Sequence, residues 1–357
     1  MISSSANIGR FAETVNSLLA RQDLSANRVV ALLEAMLTGT IDEVQSAAAI
    51  VALRAKGETG LELAAAAGFL REHMVRLDTT RTGLLDTCGT GGDGIGTFNI
   101  STATALVAAA SGVPVVKHGN RAVSSRCGSA DVLIQLGVAV DGDVGRTQRC
   151  LEEIGIAFCL APLFHPALKQ VADLRRRLGV RTIFNFLGPL LNPAGTCYQL
   201  IGVGHAELLD PLADALARLG TKHAYLVCSR DGLDEVSLTG PTLVREVRGQ
   251  VVKSLQWQPE DFDLPSCRLE DVLAAGPEES AARINSVLQG RPGPATDMVM
   301  ANAAAALLAA ERVESLTEGV AMARNTIQNG EALRVLQRLA RYSQEPGFRE
   351  KPLDLIK

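Results

Sequence analysis

A chain of 357 residues, 47% of them apolar, is long enough to bury the core of two lobes or of one large α/β domain. With 35 lysines and arginines against 39 acids the formal charge is -4, which argues against a nucleic-acid-binding surface, although an acidic protein can still focus positive potential in one cleft. No basic segment precedes an apolar run in MISSSANIGRFAETVNSLL and no uncharged stretch of about 20 apolar residues follows, so neither a secretory signal nor a membrane span is expected and the protein is placed in the cytoplasm.

Up to about Arg81 the chain is rich in Ala and Leu, lacks Pro and repeats apolar residues at helical spacing, which predicts a small helical lobe. Val30, Leu33 and Leu37 share one helix face, as do Val44, Ala48 and Val51. Thr40 with Glu43, and Thr59 with Glu62, have capping-box spacing and mark two helix starts. From about Leu84 short β-prone runs alternate with Gly-rich turns and Ala-rich stretches, the pattern of a mostly parallel sheet covered by helices. Strands are expected at 84–87, 113–116, 200–203 and 224–228. The fold class is therefore α/β, a small helical lobe plus a larger α/β lobe, and ligands should bind at the carboxyl ends of the strands. The seven cysteines are scattered without a C-x-x-C pair and read as reduced structural residues, not as a zinc site.

The densest signal is Gly89-Thr90-Gly91-Gly92-Asp93-Gly94, between the first strand and the Asn99-Ile100-Ser101-Thr102 start of an apolar helix. Glycines let a ligand approach the backbone, and the helix start supplies free N–H groups and a positive dipole end, a combination suited to phosphate. The same residues satisfy G-x-G-x-x-G, but a dinucleotide site wants an acid at the end of the next strand. Here Lys117-His118-Gly119-Asn120-Arg121 stands instead, and no Walker A ending is present. That basic run leads into Ala122 to Ser129, whose hydroxyls and glycines suit a loop closing over phosphate oxygens. His118 by itself is equally compatible with a structural hydrogen bond.

Asp234 and Glu235 follow the fourth strand behind Gly232. Neighbouring carboxylates reach one site only from a turn, and two hard oxygen ligands opposite a phosphate loop are what Mg²⁺ requires. The stretch Leu174 to Asn192 carries Arg175, Arg176 and Arg177 in succession. At helical phase these cannot all face one way, and spacing does not choose which would clamp a carboxylate.

Together these blocks resemble the anthranilate phosphoribosyltransferase family over nearly the whole chain, from the helical lobe through Gly89–Asp93, Asn99–Thr102, Lys117–Arg121, Arg181–Pro193 and Gly232–Glu235 to the Ala-rich helices after Asp297. The Lys-His-Ser-Thr-Gly-Gly loop of the related pyrimidine nucleoside phosphorylases is absent, and a non-catalytic nucleic-acid-binding relative would be basic. The resemblance implies a fold of the nucleoside phosphorylase/phosphoribosyltransferase type, divided as residues 1–81, 82–164, 165–193 and 194–357, with 165–193 returning to the helical lobe, and a homodimer in solution. It implies phosphoribosyl pyrophosphate and anthranilate as substrates and two Mg²⁺ ions per site. The donor would be held by Gly89, Gly92, Asp93, Thr97, Asn99, Ile100, Ser101, Thr102, Lys117, His118, Gly119, Asn120, Arg121, Ala122, Val123, Ser124, Ser125 and Ser129. Anthranilate would meet Gly89, Asn120 and Arg175, and the metal Ser101, Asp234 and Glu235; no side chain is assigned as acid or base. Cys127 stands where the family more often has Ser.

Overall fold

The computed structural model describes residues 3–122 and 127–345. Val123, Ser124 and Ser125 of the expected closing loop lie outside the described residues.

Four helices come first: α1 (Ser3–Leu19), α2 (Ala26–Leu37), α3 (Glu43–Lys56) and α4 (Gly60–Glu72). The start of α4 follows the expected box, with Thr59 N donating to Glu62 Oε2 at 2.8 Å and Glu62 N to Thr59 Oγ1 at 3.2 Å. For α3 the cap is Asp42 instead of Thr40: Gln45 N donates to Asp42 Oδ1 at 2.8 Å and Asp42 N to Gln45 Oε1 at 3.0 Å. Thr40 instead shares a hydrogen bond with Thr38 at 2.8 Å, and the acid is the better partner for the positive helix end. The face of α3 that buries is also different. Ala49, Ile50 and Leu53 enter the core while Val44 stays 78% exposed and Val51 43%. In a helix with apolar residues on two faces, periodicity finds both stripes and does not rank them.

The chain continues as β1 (Leu85–Gly89), α5 (Ile100–Ala110), β2 (Val115–Gly119), α6 (Ser129–Gln135), α7 (Val144–Ile154), β3 (Ile156–Leu160) and the short α8 (Ala161–Phe164). Next come α9 (Lys169–Leu178), α10 (Ile183–Phe186), β4 (Tyr198–Gly202), α11 (Leu209–Arg218), β5 (His223–Ser229), β6 (Thr242–Arg248) and β7 (Val251–Trp257). Four helices close it: α12 (Pro277–Leu288), α13 (Pro294–Ala309), α14 (Leu316–Gln328) and α15 (Glu331–Gln344). The seven strands form one sheet in the order β3-β2-β1-β4-β5-β6-β7. The pairs from β3 across to β5 are parallel, and β6 and β7 add antiparallel edges.

Side chains alternate across this sheet, so each face feeds a different core. Leu85, Val115, Leu200 and Val227 pack with α5, α13 and α15. Cys88, Ile201, Ala224 and Leu226 pack instead with α11, the N-terminal helices, and Val171, Leu174, Ile183 and Phe186 of α9 and α10. The chain leaves β1 towards β2 and β3 on one side and later returns through β4 to build the other. That reversal opens a crevice beyond Gly89 and Gly202, which are paired at the ends of β1 and β4.

Candidate active site

The glycine loop 89–94, the candidate phosphate loop, grows directly from this crevice. Thr90 N donates to Gly202 O at 2.8 Å and Gly204 N to Thr90 Oγ1 at 3.2 Å, tying the loop to the end of β4. Gly92 has a φ of 80°, and a Cβ there would overlap the Nη1 atom of Arg181, so only glycine fits. A Cβ on Gly89 would lie 3.1 Å from Asp234 Oδ2, which places the acid turn against the end of β1. Beyond the loop, Thr97 bridges to Leu273, and Asn99 caps α5 with its Nδ2 turned to Cys127 Sγ at 3.2 Å. The thiol thus takes a hydrogen bond a serine hydroxyl could take. Burial and then Asp131 push that thiol up to about 11.

Asp234 and Glu235 meet the start of α5. Ser101 N donates to Glu235 Oε1 at 3.1 Å, while the buried Lys117 ammonium donates to Ser101 Oγ at 3.2 Å and to Thr87 O. Burial first, then the adjacent Asp93 carboxylate with which it shares a hydrogen bond, raise Asp234 to about 7. Burial and Asp234 likewise hold Glu235 well above the ordinary glutamate range. Among the described residues no three His, Cys, Asp or Glu side chains converge as a ready-made cage. What the turn provides is the buried Glu235 carboxylate, the half-buried Asp234 carboxylate and the Ser101 hydroxyl beside the glycine loop. The donors are all oxygen, and their mutual repulsion lacks enough positive charge, so they fit a Mg²⁺ ion that draws its remaining ligands from phosphate and water.

Lys117 and His118 belong to β2, which runs three residues further than expected. Adjacent strand residues face opposite ways, so Lys117 reaches α5 while His118 crosses to the segment after α10. His118 Nδ1–H donates to Gly188 O at 3.1 Å, leaving Nε2 against His165 Nε2 at 3.2 Å. Burial, then the neighbouring His165, push His118 down to about 3, so the ring is neutral. Ile100 and Thr102 are also buried, whereas Asn120 and Arg121 are exposed at the mouth. Ser129 lies so close to the end of β2 that a Cβ on Gly119 would overlap its Oγ.

Two residues escape the reading of the sequence. Asp131 Oδ2 accepts from Ala122 N at 2.8 Å and Gly128 N at 3.0 Å, pinning both stems of the loop that carries the hydroxyls. Its spacing three residues after Gly128 is the available signal. Arg181 donates from Nη2 to Thr90 O at 2.9 Å and stacks over Phe186 at 5.3 Å, with Nε and Nη1 buried and unpartnered. It sits in the quoted Arg181–Pro193 stretch, but only packing reveals that it props the phosphate loop.

The three arginines of α9 are now distinguishable. Arg176 pairs with Asp173 and Arg177 with Glu43 at 2.5 Å, both on the surface. Arg175 is half-buried, lies 5.5 Å from the Phe184 ring centroid and has no acid partner among the described residues. Its guanidinium is the one of the three left available for a carboxylate.

Residues 12–74 match the glycosyl transferase family, helical bundle domain, and residues 81–333 the glycosyl transferase family, a/b domain. An anthranilate phosphoribosyltransferase of Symbiobacterium thermophilum is 48% identical over 322 residues, covering 90% of this chain and 94% of that protein. The crystal structure of the Thermus thermophilus enzyme of that name superposes with a TM-score of 0.87 at 43% identity, covering 93% of this chain and 99% of that one. The Saccharomyces cerevisiae enzyme in complex with PRPP and Mg gives 0.84 at 28% identity, covering 93% and 97%. With this architecture, the convergent phosphate loop and acid turn, and identity of this extent, the chain belongs to the anthranilate phosphoribosyltransferase family.

Proposed function

We propose that this chain transfers the phosphoribosyl group of phosphoribosyl pyrophosphate to the amine of anthranilate, giving N-(5-phosphoribosyl)anthranilate and pyrophosphate for tryptophan biosynthesis, as a cytoplasmic homodimer using two Mg²⁺ ions per site. One observation carries the reading furthest. The phosphate loop, Lys117, Ser101 and the Asp234–Glu235 turn converge at the β1–β4 crevice, with hydrogen bonds of 3.1–3.2 Å linking Ser101 to Glu235 and to Lys117.

In this reading the glycines of 89–94 and the start of α5 receive the pyrophosphate, and Asn99, Asn120, Arg121 and Ser129 close around the ribose and its phosphates. Positive charge grows on the ribose as the C1–O bond to pyrophosphate breaks, and negative charge grows on the leaving group. Lys117, which donates to Ser101 Oγ at 3.2 Å, would stabilise that leaving charge. Ser101, Asp234 and Glu235 would hold Mg²⁺, which neutralises pyrophosphate oxygens when bound. Arg175 would fix the anthranilate carboxylate so that the amine faces C1. An aromatic amine is unprotonated near neutral pH, so no strong base is required and positioning dominates.

The acceptor assignment is tested by paired variants. Arg175→Ala is expected to raise the anthranilate KM by about tenfold or more, the worth of a lost charged hydrogen bond, with the KM for the donor changed by less than about twofold. Arg176→Ala, which removes only a surface ion pair, is expected to leave both KM values within about twofold. Equal effects of the two variants would remove Arg175 from the site.

A further inference from the structure

A cavity of about 500 Å³ opens at the far end of the sheet from this site, beside the amino ends of β1 and β4. Its walls are the chain segments that cross between the lobes, and these are knitted together where Val75 N donates to Phe164 O at 2.8 Å and Leu77 N to Pro193 O at 3.2 Å. Three arginines line it, Arg71, Arg76 and Arg81, against one acid, Asp78. Among the described residues neither Arg71 nor Arg76 has a carboxylate partner, and Arg81 spends Nη2 on Glu152 O while its Nε is buried and unpartnered. Met74, Leu77 and Pro193 supply an apolar wall. Two guanidinium groups without a carboxylate partner, those of Arg71 and Arg76, beside apolar surface suit a molecule with a carboxylate at one end and an apolar body at the other.

Two hydrogen-bonded routes lead from these walls to His118. Arg71 Nε donates to Leu190 O at 2.7 Å, in the same short turn whose Gly188 O accepts from the His118 ring. Asn192, another wall residue, donates from Nδ2 to Asp86 Oδ2 at 2.8 Å, and Asp86 Oδ1 accepts the His118 backbone N–H at 3.2 Å. A ligand drawing on Arg71 or moving the 188–193 turn would therefore act on His118, the penultimate residue of β2, two positions before Asn120.

We propose that this cavity binds a small amphipathic carboxylate and that its occupancy alters anthranilate affinity through His118. The second half rests on the transferase reading; the first does not. Calorimetry with indole-3-acetate on full-length Arg175→Ala protein, whose acceptor site is expected to be weakened, tests the first half, and the added Arg76→Glu separates cavity binding from any that remains at the acceptor site. Saturable binding is expected, weakened by about tenfold or more when Arg76→Glu is added, and 3-methylindole, which lacks the carboxylate, should not bind. Arg76 is exposed and outside the catalytic machinery, so Arg76→Glu alone should keep basal turnover. The anthranilate KM of otherwise wild-type protein should change by about fivefold with indole-3-acetate and by less than about twofold in Arg76→Glu. No saturable binding, undiminished binding in Arg76→Glu, equal binding of 3-methylindole, or a KM that is unresponsive or responds equally in both proteins would each overturn the proposal.

Discussion

Asp234→Asn combined with Glu235→Gln is expected to lower turnover by about a thousandfold, because in the proposed mechanism these two carboxylates hold the cation beside the leaving group. The amides keep the shape of the turn, and the amide oxygen introduced by Glu235→Gln can still accept from Ser101 N. Initial rates against Mg²⁺ concentration check this, and unchanged magnesium dependence would remove both residues from the metal site. Stability should move the other way. A carboxyl raised to about 7 from the ordinary aspartate range near 3.8 binds its proton more tightly when folded. Asp234 therefore costs metal-free protein stability as pH rises from about 4 through about 7. Glu235 acts with the same sign. The double variant lacks this penalty, so the difference in melting temperature, variant minus wild type without metal, should become more positive over that window. Protons also compete with the cation. For wild type, the Mg²⁺ concentration giving half-maximal rate should rise by about tenfold per unit as pH falls below about 7.

Lys117→Met is expected to lower turnover by about a hundredfold and to reduce stability by about 3 kcal/mol. The ammonium is 4% exposed and faces Asp86, which is fully buried, as well as Glu235. Burial raises Asp86 to about 6 even with Lys117 opposing that rise. Removing the cation leaves Asp86 as an uncompensated buried charge, whose carboxylate holds His118 N and Asn192 Nδ2. A double-mutant comparison separates the two roles. Adding Asp86→Asn to Lys117→Met should restore part of the denaturation midpoint, since the stranded charge is gone, and should restore none of the turnover. Recovery of turnover in the double variant would show that Lys117 serves the fold alone.

Properties that belong to a residue itself are legible in the sequence. The freedom of Gly92 at φ 80° is intrinsic to glycine, and the Thr59–Glu62 box needs only spacing. The four expected strands all appear, each displaced by at most three residues at an end. β3 escapes notice because Ile156–Leu160 is buried throughout and shows no alternation. β6 and β7 escape for another cause. Val244 and Val247 are interleaved with charged residues, and six of the seven residues of β7 are exposed. Choices among equivalent residues depend on the third dimension. Arg175 differs from Arg176 only through what surrounds it, Asp42 outcompetes Thr40 through geometry, and the prop made by Arg181 exists only when α10 lies against the phosphate loop. The acceptor's name comes from resemblance, since the phosphate-binding half of the site would serve the same phosphoribosyl donor with other acceptors equally well.

The most direct measurement is the loss of anthranilate fluorescence when the purified chain is mixed with phosphoribosyl pyrophosphate and Mg²⁺. A catalytic decrease is expected that needs all three components, stops on chelation of the metal and releases one pyrophosphate per anthranilate consumed. No turnover at high enzyme concentration, with donor and metal in excess, would contradict it.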